Sequence, residues 1–234
     1  MTEFPLHLLE NCGVELDEKA KERLNIYGNA LLEWNEKMNL TAIKEPTDVV
    51  VKHFLDSLTF FKCAKPMSGA KIIDVGTGAG FPGMVLKIAR PDLDITLIDG
   101  LNKRLVFLDE VSKRVRLSLE LLHLRAEEGG RKKELREQFD YSCARAVAPL
   151  NVLLEYCVPF VKKGGSFIAL KGPAAKEEVT SAQNAARLLG VDTPRLTCVT
   201  LTGDEERCLI EYKKISQTAP KYPRISAKIS KSPL

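Results

Sequence analysis

No apolar run in the sequence approaches the roughly 20 residues that a bilayer-crossing helix needs, so a helical membrane protein is not expected. The opening residues, Met1-Thr2-Glu3-Phe4-Pro5, have neither the basic nor the apolar part of a signal peptide. The six cysteines, Cys12, Cys63, Cys143, Cys157, Cys198 and Cys208, form no Cys-x-x-Cys pair and have no histidine beside them. The three histidines, His7, His53 and His123, show no metal-ligand spacing. Zinc or any other metal and a disulfide framework are therefore not expected, and the predicted setting is a reducing cytoplasm. Internal repeats and low-complexity segments are also missing, which sets repeat arrays aside.

What remains is a chain of 234 residues, 44% apolar and 28% charged, the composition of an ordinary globular protein. Its length suits one large domain with an appendage. The net charge of +4 is unevenly spread. From Lys213 onward there are six basic residues (Lys213, Lys214, Lys221, Arg224, Lys228, Lys231) and no acid, so the rest of the chain is slightly acidic. Such a tail either contacts nucleic-acid phosphates or stays solvated, and composition leaves both open.

Residues 1–66 read as a helical cap. Leu24, Tyr27 and Leu31 recur at helical spacing between Leu16 and Leu32, Asn35 to Thr41 breaks the pattern, and Pro46-Thr47-Asp48 opens a second helix. Residues 67–214 alternate strands and helices. Predicted strands are Lys71 to Val75, Ile95 to Asp99, Ser118 to Leu122, Tyr141 to Ala144, Ser166 to Leu170, Arg195 to Leu201 and Arg207 to Tyr212. Predicted helices are Pro82 to Ala89, Lys103 to Val115, Glu127 to Glu137, Leu150 to Val161 and Ala174 to Leu189. The pattern predicts an α/β fold with a seven-stranded, mostly parallel sheet and helices on both faces. Only Thr202 to Glu206 separates the last two strands, which predicts a closing antiparallel hairpin. Residues 215–234 form the basic tail.

The centre of the sequence is Ile72-Ile73-Asp74-Val75-Gly76-Thr77-Gly78-Ala79-Gly80-Phe81-Pro82-Gly83. An apolar strand ends on an acid, passes through a glycine-rich turn and enters a helix, whose free N–H groups point into the same turn. Two ligands compete for it. Gly78-x-Gly80-x-x-Gly83, with Asp99 some way on, matches the dinucleotide fingerprint and would make the chain an NAD-dependent oxidoreductase. Asp74 two residues before Gly76-x-Gly78-x-Gly80 matches instead a loop for S-adenosylmethionine. In that reading Asp74 faces the cationic end of the donor and Asp99 accepts from its ribose hydroxyls. The closing hairpin and the lack of a second mononucleotide half favour the methyl donor.

These residues, with others in order, resemble the bacterial small-subunit (16S) ribosomal RNA guanine-N7 methyltransferase family, also called glucose-inhibited division protein B. The resemblance is carried by Trp34-Asn35-x3-Asn39-Leu40-Thr41, His53-x2-Asp56-Ser57, the loop from Asp74 to its Phe81-Pro82-Gly83 ending, Leu101-x-Lys103-Arg104, Arg125-Ala126-Glu127-Glu128, Ser142-x-Ala144-Arg145-Ala146 and Ala169-Leu170-Lys171-Gly172. It implies a Rossmann-like class I methyltransferase fold and transfer of a methyl group to 16S rRNA or the small ribosomal subunit. Donor contacts are implied at Gly76, Gly78 and Phe81, at Asp99 for the ribose, at Ala126 and Glu127 for the adenine, and at Arg145. Thr77, Gly80, Gly100 and Leu101 lie within the same two loops and join the candidate donor set. Gly100 stands where the family usually has Ser, and Ile225 and Ala227 stand where Lys and Gly are common.

Guanine N7 is an unprotonated lone pair, so its methylation requires orientation rather than a general base. In keeping with that, no Asn-Pro-Pro-aromatic motif for exocyclic amines and no Pro-Cys pair for pyrimidine attack follows Tyr141 to Ala144. Arg145, His53 and Asp56 are the candidates for positioning the substrate. Lys103, Arg104, Lys171 and Arg224 are the candidates for RNA contact, and a monomer is expected. A non-catalytic RNA-binding protein on the same fold is a further alternative.

Overall fold

The computed structural model describes residues 2–10, 12–203 and 205–234. Met1 and the hairpin residue Asp204 therefore lie outside the described residues. The sheet comprises β1 (Lys71–Val75), β2 (Asp94–Asp99), β3 (Glu120–His123), β4 (Phe139–Arg145), β5 (Val161–Lys171), β6 (Arg195–Thr200) and β7 (Glu206–Lys213). Their order is β3-β2-β1-β4-β5-β7-β6. The first five run parallel, whereas β7 is antiparallel to both β5 and β6. The order reverses at β1, whose neighbours are β2 on one side and β4 on the other. In open α/β sheets that switch point, at the carboxyl ends of the strands, is where ligands bind.

Both faces of the sheet are covered, so the central strands are buried almost end to end: β1 is exposed only at Lys71. Alternate residues feed two cores. Ile72, Leu97 and Ile168 point to one face with α1 (Glu18–Met38), α5 (Gly83–Ala89) and α6 (Asn102–Val115). Ile73, Ile98 and Phe167 point to the other with α8 (Leu150–Cys157), α9 (Ala175–Ser181) and α10 (Gln183–Leu189).

The N-terminal region packs into the first core. Tyr27 of α1, fully buried, stacks on Phe54 and Phe81 with centroids 5.6 and 5.4 Å away. Residues 46–58 form one helix with a change of pitch: α2 (Pro46–Val49), a π-helical stretch (Val50–Leu55), then α3 (Asp56–Leu58). Phe60–Cys63 adds α4.

Several elements differ from expectation. Helix α1 runs through Asn35 to Met38, because the Asn35 amide bonds across the following loop instead of breaking the helix. It donates to Thr41 O and accepts from Thr41 N, both at 2.9 Å. The helix expected over Glu127 to Glu137 is only α7 (Ala126–Gly129), ended by the Gly129-Gly130 pair. The one expected over Ala174 to Leu189 divides at Ala182 into α9 and α10. Pro82 caps α5 from outside rather than opening it. Cys198 and Cys208, set directly opposite on β6 and β7, are joined as a disulfide, contrary to the expectation of none. The hairpin brings together two cysteines that their spacing did not link. The other four cysteines are free and buried.

The segment from Ser216 folds back on the second core. Arg136 donates to the carbonyls of Thr218 and Tyr222 at 2.7 and 2.8 Å. Arg224 clasps the fully buried Glu155, and the short α11 (Ser226–Lys231) follows.

Candidate active site

The glycine loop leaves β1 with backbone that only glycine adopts freely: Gly76 and Gly78 have φ of +71° and +60°. Gly76 and Thr77 donate their N–H groups to Ile98 O at 2.9 and 3.1 Å, tying the loop to β2. Asp74 holds it from within. Its Oδ2 accepts from Thr77 Oγ1 at 2.6 Å and from Gly83 N at 2.9 Å. The carboxyl is completely buried, which pushes its pKa up to about 6. Asp74, expected to face the donor, is turned into the protein. Gly80 is also structural: a Cβ there would lie 2.6 Å from Tyr27 Oη.

Two cavities meet on the outer side of the loop. One, of about 460 Å³, is lined by Thr41, Gly78, Phe81, Arg104 and Arg145 among others. The second, of about 170 Å³, is walled by Ile98, Gly100, Ala126, Glu127 and Tyr156, with Ser226 from the tail. Gly76, Asp99 and Val147 belong to both. Asp99 is buried at this junction, where Oδ1 accepts from Leu101 N at 2.8 Å and Oδ2 from Gly78 N at 3.0 Å. Arg104 reaches the same Oδ2 at 3.2 Å.

On the cap side, Arg145 at the end of β4 binds back to the π-helical stretch. Its Nη1 donates to Lys52 O and Asp56 Oδ2, both at 2.9 Å, and Nη2 donates to His53 Nδ1 at 3.1 Å. The guanidinium lies 4.8 Å from the centroid of Phe81, and His53 stacks on the same ring at 4.3 Å. The π-helical pitch frees the Lys52 carbonyl for this contact. Nδ1 lies equally close, 3.1 Å, to Lys52 O, so it stands between a guanidinium that only donates and a carbonyl that only accepts. Nε2 lies 2.8 Å from Thr41 Oγ1, which accepts from Ile43 N at 3.0 Å. Thr41 itself lines the cavity wall. Burial first, and Arg145 second, hold the His53 pKa down to about 3.

A third cavity, of about 350 Å³, adjoins the first across His53, Arg145 and Ala146. Ile43, Lys52, Asp56, Leu170 and Arg207 contribute to it. A larger hollow of about 820 Å³ beneath Leu6, Leu9 and Leu16 shares no residue with these three.

The sequence profile described as rRNA small subunit methyltransferase G matches residues 20–208. The chain is 49% identical over 227 residues to the Ribosomal RNA small subunit methyltransferase G of Alkaliphilus metalliredigens, with 96% of this chain and 95% of that protein covered. It is 45% identical to the protein of the same name from Clostridium perfringens strain SM101, with the same coverage. The chain belongs to the rRNA small subunit methyltransferase G family. The fold is shared with a solved methyltransferase from Pyrococcus furiosus, at a TM-score of 0.55 and 16% identity over 83% of this chain and 99% of that one. Membership makes the chain an S-adenosylmethionine-dependent methyltransferase and removes the nicotinamide alternative.

Within that family, the expected site residues divide by where the fold puts them. Gly76, Thr77, Gly78, Phe81, Asp99, Gly100, Ala126, Glu127 and Arg145 all line the joined cavities. Leu101 enters through its backbone, its side chain being exposed. His53 and Asp56 stand with Arg145 on the cap side. Lys103 is exposed on α6 beside Arg104. Lys171 and Arg224, expected on RNA, are engaged inside the protein: Lys171 with Glu178 at 2.7 Å and Ala148 O, Arg224 with Glu155 at 2.6 Å. Sequence reasoning missed Val147, Tyr156, Ser226 and Arg207, whose positions depend on tertiary packing. Thr41 was within a quoted motif but unassigned. Among the described residues no cluster of His, Cys, Asp and Glu could hold a metal ion, and no helix is long and apolar enough to cross a membrane.

Proposed function

We propose that the protein transfers a methyl group from S-adenosylmethionine to N7 of a guanine in 16S rRNA, free or within the small subunit, acting as a monomer in the cytoplasm. The observation that carries the choice of N7 is the protonation of the site. Burial and Arg145 keep His53 neutral, its Nδ1 enclosed by Arg145 and Lys52 O, and Asp74 is sealed under the loop. Burial raises the thiols of Cys143 and Cys157 well above their ordinary range. None of these groups is offered as a proton acceptor or nucleophile; Asp56, the carboxylate of the adjoining cavity, is held between Arg145 and Arg207, and a nitrogen lone pair without a hydrogen needs no base.

The donor supplies an electrophilic methyl group on a sulfonium. The narrow cavity by Ile98 and Ala126 suits its adenine, and Asp99 at the junction suits its ribose hydroxyls. The larger cavity takes the amino acid head, whose carboxylate the Thr41 hydroxyl and Arg104 can meet. An ordered acceptor base then supplies the rest of the barrier lowering through orientation. Lys103, exposed on α6 beside the half-buried Arg104, is our candidate for phosphate contact.

The test is methyl transfer from labelled donor to small subunits and to free 16S rRNA lacking the modification, followed by borohydride reduction and aniline cleavage, which cut at N7-methylguanosine. Label with cleavage at one position is expected. Label without cleavage would move the methyl group to another atom, and no label with donor bound would remove the RNA substrate.

A further inference from the structure

Asp56 has a feature that the donor site leaves unexplained. Its side chain is 94% buried in the wall of the third cavity. Oδ2 is hydrogen-bonded to Arg145, but Oδ1 is buried without a hydrogen-bond partner. Arg207 Nε stands 3.3 Å from Oδ1, near enough for charge attraction but outside hydrogen-bond geometry. A buried carboxylate oxygen with an unused lone pair is costly unless something completes it.

The cavity occupies the right place for an acceptor base. It lies at the carboxyl ends of β4 and β5, beside Ala146 and Leu170, and shares His53 and Arg145 with the cavity assigned to the amino acid head of the donor. Its volume of about 350 Å³ falls in the usual range for small-ligand sites, about 300–1,000 Å³. Ile43 and Leu170 give it apolar wall, and Asp56 gives it an acceptor. Enzymes acting on a base take it out of the stack and read its Watson–Crick edge by hydrogen bonds.

We propose that Asp56 reads the target guanine by accepting hydrogen bonds from its N1–H and N2–H groups in this cavity. An ionised carboxylate only accepts. Guanine presents two adjacent donors on that edge, whereas adenine and cytosine present a ring-nitrogen acceptor, which the carboxylate repels. N7 lies across the fused rings from N1 and N2. A guanine held by Asp56 therefore turns N7 away from it, toward the adjoining cavity.

The same contact assists the reaction. The N7 lone pair forms the N–CH3 bond as the S–CH3 bonding pair returns to sulfur. Sulfur becomes neutral, the purine takes up the positive charge, and no proton moves. As charge develops on the ring, N1–H and N2–H become stronger donors, so their bonds to Asp56 tighten in the transition state. Asp56 also offsets the field of Arg145 and Arg207, which would otherwise oppose a cationic product. This inference rests on the guanine-N7 reading above.

The test combines an enzyme change with a substrate change. Small subunits are reconstituted with guanosine or inosine at the position the wild-type enzyme methylates; inosine retains N7 but lacks the 2-amino group. Wild-type enzyme should methylate inosine about 10- to 100-fold more slowly than guanosine, mainly in kcat, as expected when hydrogen bonds to a charged group are removed. Asp56→Asn should lose a comparable factor on guanosine, then show little further loss on inosine. Its melting temperature should still rise with S-adenosylhomocysteine, showing a folded donor site. Equal wild-type rates on the two bases would overturn the proposal, and so would losses that multiply when the variant meets inosine. Failure of wild-type enzyme on guanosine itself would overturn the N7 reading, and this inference with it.

Discussion

Single residues in this site are constrained from opposite directions. Gly78 has φ of +60°, and a Cβ at that position would meet nothing closer than 4.0 Å, so its backbone, not crowding, requires glycine. Gly78→Val should cost about 1–2 kcal/mol in strain and fill space intended for the donor. Calorimetry with S-adenosylhomocysteine should find no binding; unchanged affinity would remove the loop from the donor site. His53 makes a different prediction. Its pKa is about 3 in the folded protein against an ordinary 6.5, so the folded imidazole stays neutral while the unfolded one takes up a proton. Its contribution to stability is therefore complete above about pH 6.5 and declines progressively toward pH 3. Asp74, raised from 3.8 to about 6, acts oppositely: its contribution is complete below pH 3.8 and is lost as pH rises through 6. His53→Gln should abolish the first dependence and keep the second. Its melting-temperature deficit relative to wild type should shrink from pH 7.5 to pH 5. A constant deficit would contradict the neutral, buried imidazole. The loop residues were legible because each glycine requirement is local, whereas the inward turn of Asp74 was not. An acid before a glycine turn serves a loop or a ligand equally well, and only its bonds to Thr77 and Gly83 decide.

At the scale of elements, the cap and the glycine loop act as one piece. The hydroxyl of Tyr27 on α1 donates to Ala79 O in the loop, and its ring stacks on Phe81. Tyr27→Phe keeps the stacking and leaves the carbonyl without its buried donor, a loss of about 1–3 kcal/mol. Urea unfolding should show that loss, and donor affinity should fall with it. Reduced stability at unchanged affinity would mean that the cap does not shape the donor site. The period-2 and helical patterns located all seven strands, the central ones as apolar runs buried on both faces, but overextended α7 and merged α9 with α10. They did not reveal the π-helical stretch at Val50–Leu55, whose apolar spacing matches that of an ordinary helix. That stretch is what frees Lys52 O for Arg145 and sets His53 and Asp56 beside it. The short fingerprint His53-x2-Asp56 marked the site, but the change of pitch gave it its geometry.

In the whole molecule the basic tail closes the structure. Composition counted its charges without distinguishing inward from outward ones. Arg224 points inward, and its guanidinium donates at 2.6–3.1 Å to Glu155, a carboxylate with no exposed surface. Ser226, two residues on, reaches the wall of the narrow donor cavity. Lys221, Lys228 and Lys231 remain exposed. Removing one partner of a buried pair strands the other charge, which typically costs about 3–5 kcal/mol, whereas neutralising both costs much less. Arg224→Ala should therefore lower stability by roughly that amount in urea unfolding, and adding Glu155→Gln should recover a large part of it. The double variant also separates the tail's two roles. If Arg224 serves only the fold, log affinity for RNA should fall with log salt as steeply in the double variant as in wild type. Replacing Lys228 and Lys231 by Gln should instead flatten that slope by about 0.7–0.9 for each phosphate that is no longer neutralised. A flatter slope in the Arg224 and Glu155 double variant would place that guanidinium on RNA and make its pairing with Glu155 a state that RNA displaces.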